Sequence, residues 1–69
     1  MIDVNKLRGR MAEKNRNGRD MAKVIGKTPK TFYSKMKAGV FDSDEIEAMV
    51  RDLEIQNPME IFFAAEVTS

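Results

Sequence analysis

Apolar residues recur along this chain at intervals of three and four, and no stretch alternates with period two for long. That spacing predicts helix almost throughout. In the opening segment Val4, Leu7 and Met11 fall on one stripe. A helix is therefore expected from about Asn5 to Lys14, capped by Asp3 or Asn5. Gly9 lies on the opposite face, where glycine costs about 1 kcal/mol relative to alanine; close approach by another backbone is one reason to place it there. The polar break Asn15-Arg16-Asn17-Gly18 follows. Asn17 can cap a second helix, with Asp20 three residues later completing a short capping box. Met21, Ala22, Val24 and Ile25 then turn inward while Arg19 and Lys23 point out, and Gly26 suits the left-handed conformation that closes a helix.

The stretch KVIGKTPKTFYSKMKAG, Lys23 to Gly39, stops one helix at a glycine and restarts with Thr-Pro. Thr28 is the expected cap, and Pro29 takes the first helical position, where a missing N–H does no harm. Phe32 and Met36, four apart, face the core, whereas Lys30, Tyr33, Ser34 and Lys37 gather on the opposite side. Gly39 ends this helix. Asp42-Ser43-Asp44-Glu45 forms an acidic first turn for a fourth helix, which suits the positive end of the helix dipole. Its inner stripe is Ile46, Met49, Val50 and Leu53. Asn57-Pro58 repeats the cap-plus-proline device and opens a short fifth helix through Met59, Ile61, Phe62 and Phe63, before a frayed tail from Glu66 to Ser69. Five short helices with brief joints predict one all-α domain spanning residues 1–69.

Composition changes this picture by exclusion. A chain of 69 residues buries roughly 60% of the surface its unfolded form exposes. With neither cysteine nor histidine, disulfides, thiolate chemistry and the usual zinc sites are ruled out, and no cofactor is expected. Stability must then come from a hydrophobic core or an oligomer interface. The opening MIDVNK has no basic stretch followed by an apolar one, so no signal peptide is expected. The longest apolar run, IFFAA from Ile61 to Ala65, falls far short of the ~20 residues needed to span a bilayer. An intracellular, soluble protein is the default.

Charge adds more. The formal net charge of +1 hides a first segment, residues 1–40, with eleven Lys/Arg against three Asp/Glu, a net +8. Residues 41–69 hold one Arg against eight Asp/Glu, a net −7. Such a charge dipole can orient a small domain on a polyanion, basic side inward. Alternatively, the two segments are solvated faces that attract each other. The acidic cluster Asp42, Asp44, Glu45 and Glu47 raises the idea of paired carboxylates for metal or acid–base work. Without histidine or a glycine-rich phosphate loop nearby, helix capping and solubility explain it better, and no enzyme is expected.

Helix, glycine turn, second helix with an outward polar face is the helix-turn-helix pattern. Ala22 must be small where the helices cross, Gly26 must reach positive φ for a tight turn, and Phe32 must be large and apolar to pin the second helix. The gaps of four residues from Ala22 to Gly26 and six from Gly26 to Phe32 both fit. Residues Asn17 to Lys37 resemble the helix-turn-helix of the Cro and repressor proteins of temperate phages, the broad XRE group. The resemblance extends over nearly the whole chain: VNKLRGRMAEKN, TPKTFYSKM and NPMEIFFA look like small Cro-like proteins of phages and prophages of Gram-positive bacteria.

The resemblance implies a lambda-repressor-like domain that acts on double-stranded operator DNA in the bacterial cytoplasm. It places Thr28, Pro29, Lys30, Tyr33 and Ser34 in the major groove. Lys30 would reach the O6 and N7 acceptors of guanine, Ser34 several bases, and Pro29 and the Tyr33 ring a thymine methyl. Phosphate contacts would come from Asn17, Arg19, Thr31 and Lys37, with the first-turn amides of the second helix suited to an anion. Three positions depart from the family pattern. Gly18 stands where a glutamine usually contacts phosphate and base, Arg16 replaces a leucine, and Lys27 replaces a valine or isoleucine. The last two are expected to thin the core and to add charge at the motif's edges.

The apolar fifth helix leads to an expected weak homodimer through Ile55, Met59, Phe62 and Phe63, which would set two recognition helices about 34–36 Å apart on a palindrome. The alternative is that these residues only close the core. The function expected is a transcriptional repressor that acts by operator occupancy. A second possibility is an antirepressor-type modulator that keeps the fold and docks on a partner repressor protein through its acidic, apolar carboxyl half.

Overall fold

In the computed structural model, residues 2–62 are described, and they fold into α1 (Val4–Glu13), α2 (Gly18–Ile25), α3 (Pro29–Ala38), α4 (Ser43–Asp52) and α5 (Pro58–Phe62). No strand occurs among the described residues. The starts follow the chemistry of orphan amides at helix ends. Asp3 accepts the Lys6 amide at 3.1 Å, so Asp3 rather than Asn5 caps α1. Asn17 accepts the Asp20 amide at 2.9 Å while the Asp20 carboxylate accepts the Asn17 amide at 3.0 Å, a reciprocal capping box. Thr28 Oγ1 accepts the Thr31 amide at 3.2 Å, with Pro29 in the first turn. At α4 the Glu45 carboxylate accepts the Asp42 amide at 2.8 Å.

One device closes all four of the longer helices. Asn15, Gly26, Gly39 and Glu54 take positive φ (56°, 72°, 71° and 51°). Each following amide then donates to the carbonyl five residues back: Arg16 to Met11 (2.8 Å), Lys27 to Ala22 (2.9 Å), Val40 to Lys35 (3.1 Å) and Ile55 to Val50 (3.0 Å). These are Schellman-type endings, which satisfy carbonyls the helix leaves open.

Leu7 and Met11 of α1, Met21 and Ala22 of α2, Phe32 and Met36 of α3, and Met49 and Leu53 of α4 meet in one core. Phe41, in the joint after α3, stacks near Phe32 at a ring separation of 5.7 Å. Val24, Ile25, Ile46 and Val50 pack half-buried around this centre. Ile2, which the helical pattern left aside, is also buried, because the Asp3 amide donates to the Ile61 carbonyl at 2.7 Å and ties the chain's opening to α5.

Two expectations change here. Ile55 and Phe62, assigned to a dimer patch, lie inside the monomer's own core, with Phe62 only 2% exposed. The opening segment and α1 cover α5 on its inner side, so Ile61 and Phe62 both find partners there. Among the described residues of the patch only Met59 is exposed; Phe63 lies outside the described residues, as does the tail from Glu66. For Gly9, no atom lies within 4 Å of where a side chain would begin, so a close backbone approach does not explain it.

Arg16 does not thin the core either. Its guanidinium makes a two-pronged pair with Asp52 (3.0 and 3.3 Å) and donates to the Lys14 carbonyl, pinning the α1–α2 joint to the end of α4. Arg10 donates to the carbonyls of Leu53 (2.8 Å) and Glu54 (2.9 Å) at that same end. Among the described residues no helix is long and apolar enough to cross a membrane.

Candidate nucleic-acid interface

Helices α2 and α3 are joined by Gly26-Lys27-Thr28, and the left-handed Gly26 makes the turn sharp enough to expose one long side of α3. Phe32, with no exposed surface, and Met36 anchor the buried side. The five residues expected to read bases, Thr28, Pro29, Lys30, Tyr33 and Ser34, are all exposed, and the helix brings them together on one outer surface. Of the expected phosphate contacts, Asn17, Arg19 and Lys37 are exposed. Thr31 is half-buried, its hydroxyl 3.0 Å from that of Thr28.

Charge pairing divides the cations into two groups. Arg10, Lys14, Arg16, Lys35 and Arg51 make ion pairs: Lys14, Arg16 and Lys35 reach acidic residues of the second half of the chain, while Arg10 and Arg51 pair within their own helices. Among the described residues, Lys6, Arg8, Arg19, Lys23, Lys27, Lys30 and Lys37 make none. Five of these seven sit on α2, the glycine turn and α3. The attraction between the two halves is therefore real but local: it runs through α1 and its following joint, and through a single lysine of α3.

That lysine is Lys35, whose Nζ lies 3.1 Å from Glu45 and 3.8 Å from Asp42. Glu45 is the residue that sequence periodicity missed. It is 5% exposed, with Oε1 taking the Asp42 amide and Lys35, while Oε2 has no partner among the described residues. Burial pushes its carboxyl pKa up, but the Asp42 amide, Lys35 and the more distant charge of Lys27 outweigh this and leave it below the ordinary value. The acidic first turn is thus a structural clamp on α3. No group of three or more acidic, histidine or cysteine side chains among the described residues is placed to hold a metal ion.

A second feature was also absent from the sequence reading. Gly18 is buried, and the Tyr33 ring of α3 lies over it: a Cβ built at Gly18 would stand 2.1 Å from both Cζ and the hydroxyl oxygen of Tyr33. The only sequence signal was the glycine itself, in a helix's first turn, where the backbone does not require one. No protein-family model, curated protein or solved structure matches this chain.

Proposed function

We propose that the chain is a sequence-specific DNA-binding regulator of the Cro-like, helix-turn-helix kind, which silences promoters by occupying operators. The observation that carries this is the exposed outer side of α3, free of the acidic half and surrounded by Arg19, Lys23, Lys27, Lys30 and Lys37, none of which pairs with a described acidic residue. Cations without an ion-pair contact around an outward polar helix suit a polyanion with a groove. No chemistry is needed; occupancy excludes polymerase. A homodimer would let two such helices read a palindrome, and Met59, exposed at the edge of α5, is the residue of the expected patch that a second copy could reach.

The test is a mobility shift with duplex DNA flanking the gene, with and without any neighbouring repressor, across salt. If a dimer neutralises roughly eight phosphates, affinity is expected to fall by about three to five decades between ~50 and ~200 mM salt. A slope near zero would overturn the proposal. Binding seen only in the presence of the repressor would favour a modulator that docks on that protein. Replacing Lys30 by alanine is expected to cost about 1–3 kcal/mol and relax the preference at one base pair; equal weakening on every sequence would make Lys30 a phosphate contact instead.

A further inference from the structure

We infer that Gly18 is a positioning residue for Tyr33: the absent side chain at the start of α2 is a seat that fixes the tyrosine ring on the outer side of α3, and this fixed ring sets base preference. The second half of the statement rests on the DNA-binding reading above; the first half does not.

Gly18 lies within α2, in helical backbone that any residue can adopt, so its conformation does not call for glycine. Alanine would favour the helix more. What demands glycine is room. A Cβ would meet Cζ and Oη of Tyr33 at 2.1 Å and Cε1 at 2.7 Å, far inside van der Waals contact. Phe32 flanks the same ring, edge to face, at 5.8 Å and 71°. Tyr33 is nonetheless 53% exposed. The ring is therefore held by Gly18 and Phe32 while much of it faces outward.

An unheld tyrosine on a helix surface samples several rotamers, and binding must remove that freedom. A seated one presents its ring edge and its hydroxyl, which both donates and accepts, in one direction before any partner arrives. Any residue other than glycine at 18 would push the flexible tip of Tyr33 off its seat without displacing backbone. The fold should survive this change while the presentation of the ring is lost.

Tyr33 is the only tyrosine and the chain has no tryptophan, so intrinsic emission excited at the tyrosine band reports chiefly on this one ring. Acrylamide quenching of the full chain is compared between parent and Gly18→Ala, with helicity checked by circular dichroism. Quenching is expected to rise toward that of a free tyrosine amide; equal quenching in two equally helical proteins overturns the seat. Melting of the four-member cycle with Tyr33→Ala gives a second readout. Alanine at 18 is expected to raise the Tm more when Tyr33 is absent than when it is present, and equal shifts overturn the seat.

For base preference, a randomised duplex pool is enriched with the parent and rebound with the variants. Gly18→Ala and Tyr33→Ala are expected to relax discrimination at the same base pair by about fivefold or more, and the double variant no further than Tyr33→Ala alone. A uniform loss over all sequences makes Gly18 merely structural and overturns its role in preference. A parent that enriches no sequence overturns the DNA-binding reading together with that role, and quenching and melting still decide the seat.

Discussion

At the residue scale, Glu45 shows how one carboxylate can hold two elements together. It receives the Asp42 amide at its own helix start and Lys35 from α3, while lying almost wholly out of water. Removing one partner of such a buried arrangement leaves the other uncompensated, so Glu45→Gln is expected to lower stability by about 1–3 kcal/mol, measured by urea unfolding. The pH dependence follows from the lowered pKa. A carboxyl held below its ordinary value of 4.5 contributes fully above that value, and its contribution is lost as pH falls through the lower folded value. Glu54, lowered by its bond to Lys14, changes stability in the same direction. The parent is therefore expected to lose stability on acidification below about pH 4.5, and Glu45→Gln to lose less over the same window, in a titration followed by circular dichroism. Sequence placed Glu45 in a helix's first turn, which is right, yet could not show that the turn faces Lys35 ten residues earlier.

At the element scale, helix starts and stops are set by local chemistry, and most were legible. Asn17, Thr28-Pro29, Gly26 and Gly39 each act where their side chain, or its absence, suits a cap. Asn15 and Glu54 reach the same left-handed ending without glycine. Asparagine tolerates that conformation well. Glutamate does not, and nothing in the sequence marks Glu54 for it; Arg10 on its carbonyl and Lys14 on its carboxylate hold it there.

A pair of substitutions separates the two uses of glycine. Gly26→Ala meets no neighbour but must adopt φ 72°, so it is expected to cost about 1 kcal/mol. Gly9→Ala, in open space within a helix, is expected to gain about 0.5–1 kcal/mol. Thermal melts of the two single variants should move in opposite directions. The fifth helix was legible from Asn57-Pro58 but its inward side was not, because five residues give too little periodicity to show which of Met59, Ile61 and Phe62 turns out.

For the whole molecule, the two halves of opposite charge share one core, and ion pairs bind them at the end of α4 and, from α3, through Lys35. Arg10, Lys14 and Arg16 gather the end of α4, while Arg19, Lys23, Lys27, Lys30 and Lys37 remain unpaired with described residues. Phe62 belongs to the shared core. Phe62→Ala is expected to lose about 3–5 kcal/mol and to do so at every protein concentration, since the loss comes from the monomer. Met59→Asp is expected to leave the monomer's melting unchanged; if two copies associate through α5, sedimentation should show that variant as the monomer at concentrations where the parent is larger.

Local sequence alone was enough for the five helices, the caps at Asn17 and Thr28, the glycine stops at Gly26 and Gly39 and the outward set Lys30, Tyr33, Ser34 and Lys37, because capping and a 3.6-residue period act over three or four neighbours. Long-range packing was needed to show which cations form ion pairs, that Glu45 clamps α3, that Ile55 and Phe62 belong to the core, and that Tyr33 rests on Gly18. Each of these depends on where two segments distant along the chain, or on different helices, come to lie side by side. Periodicity fixes which way a residue faces from its own helix, and packing alone fixes what it meets.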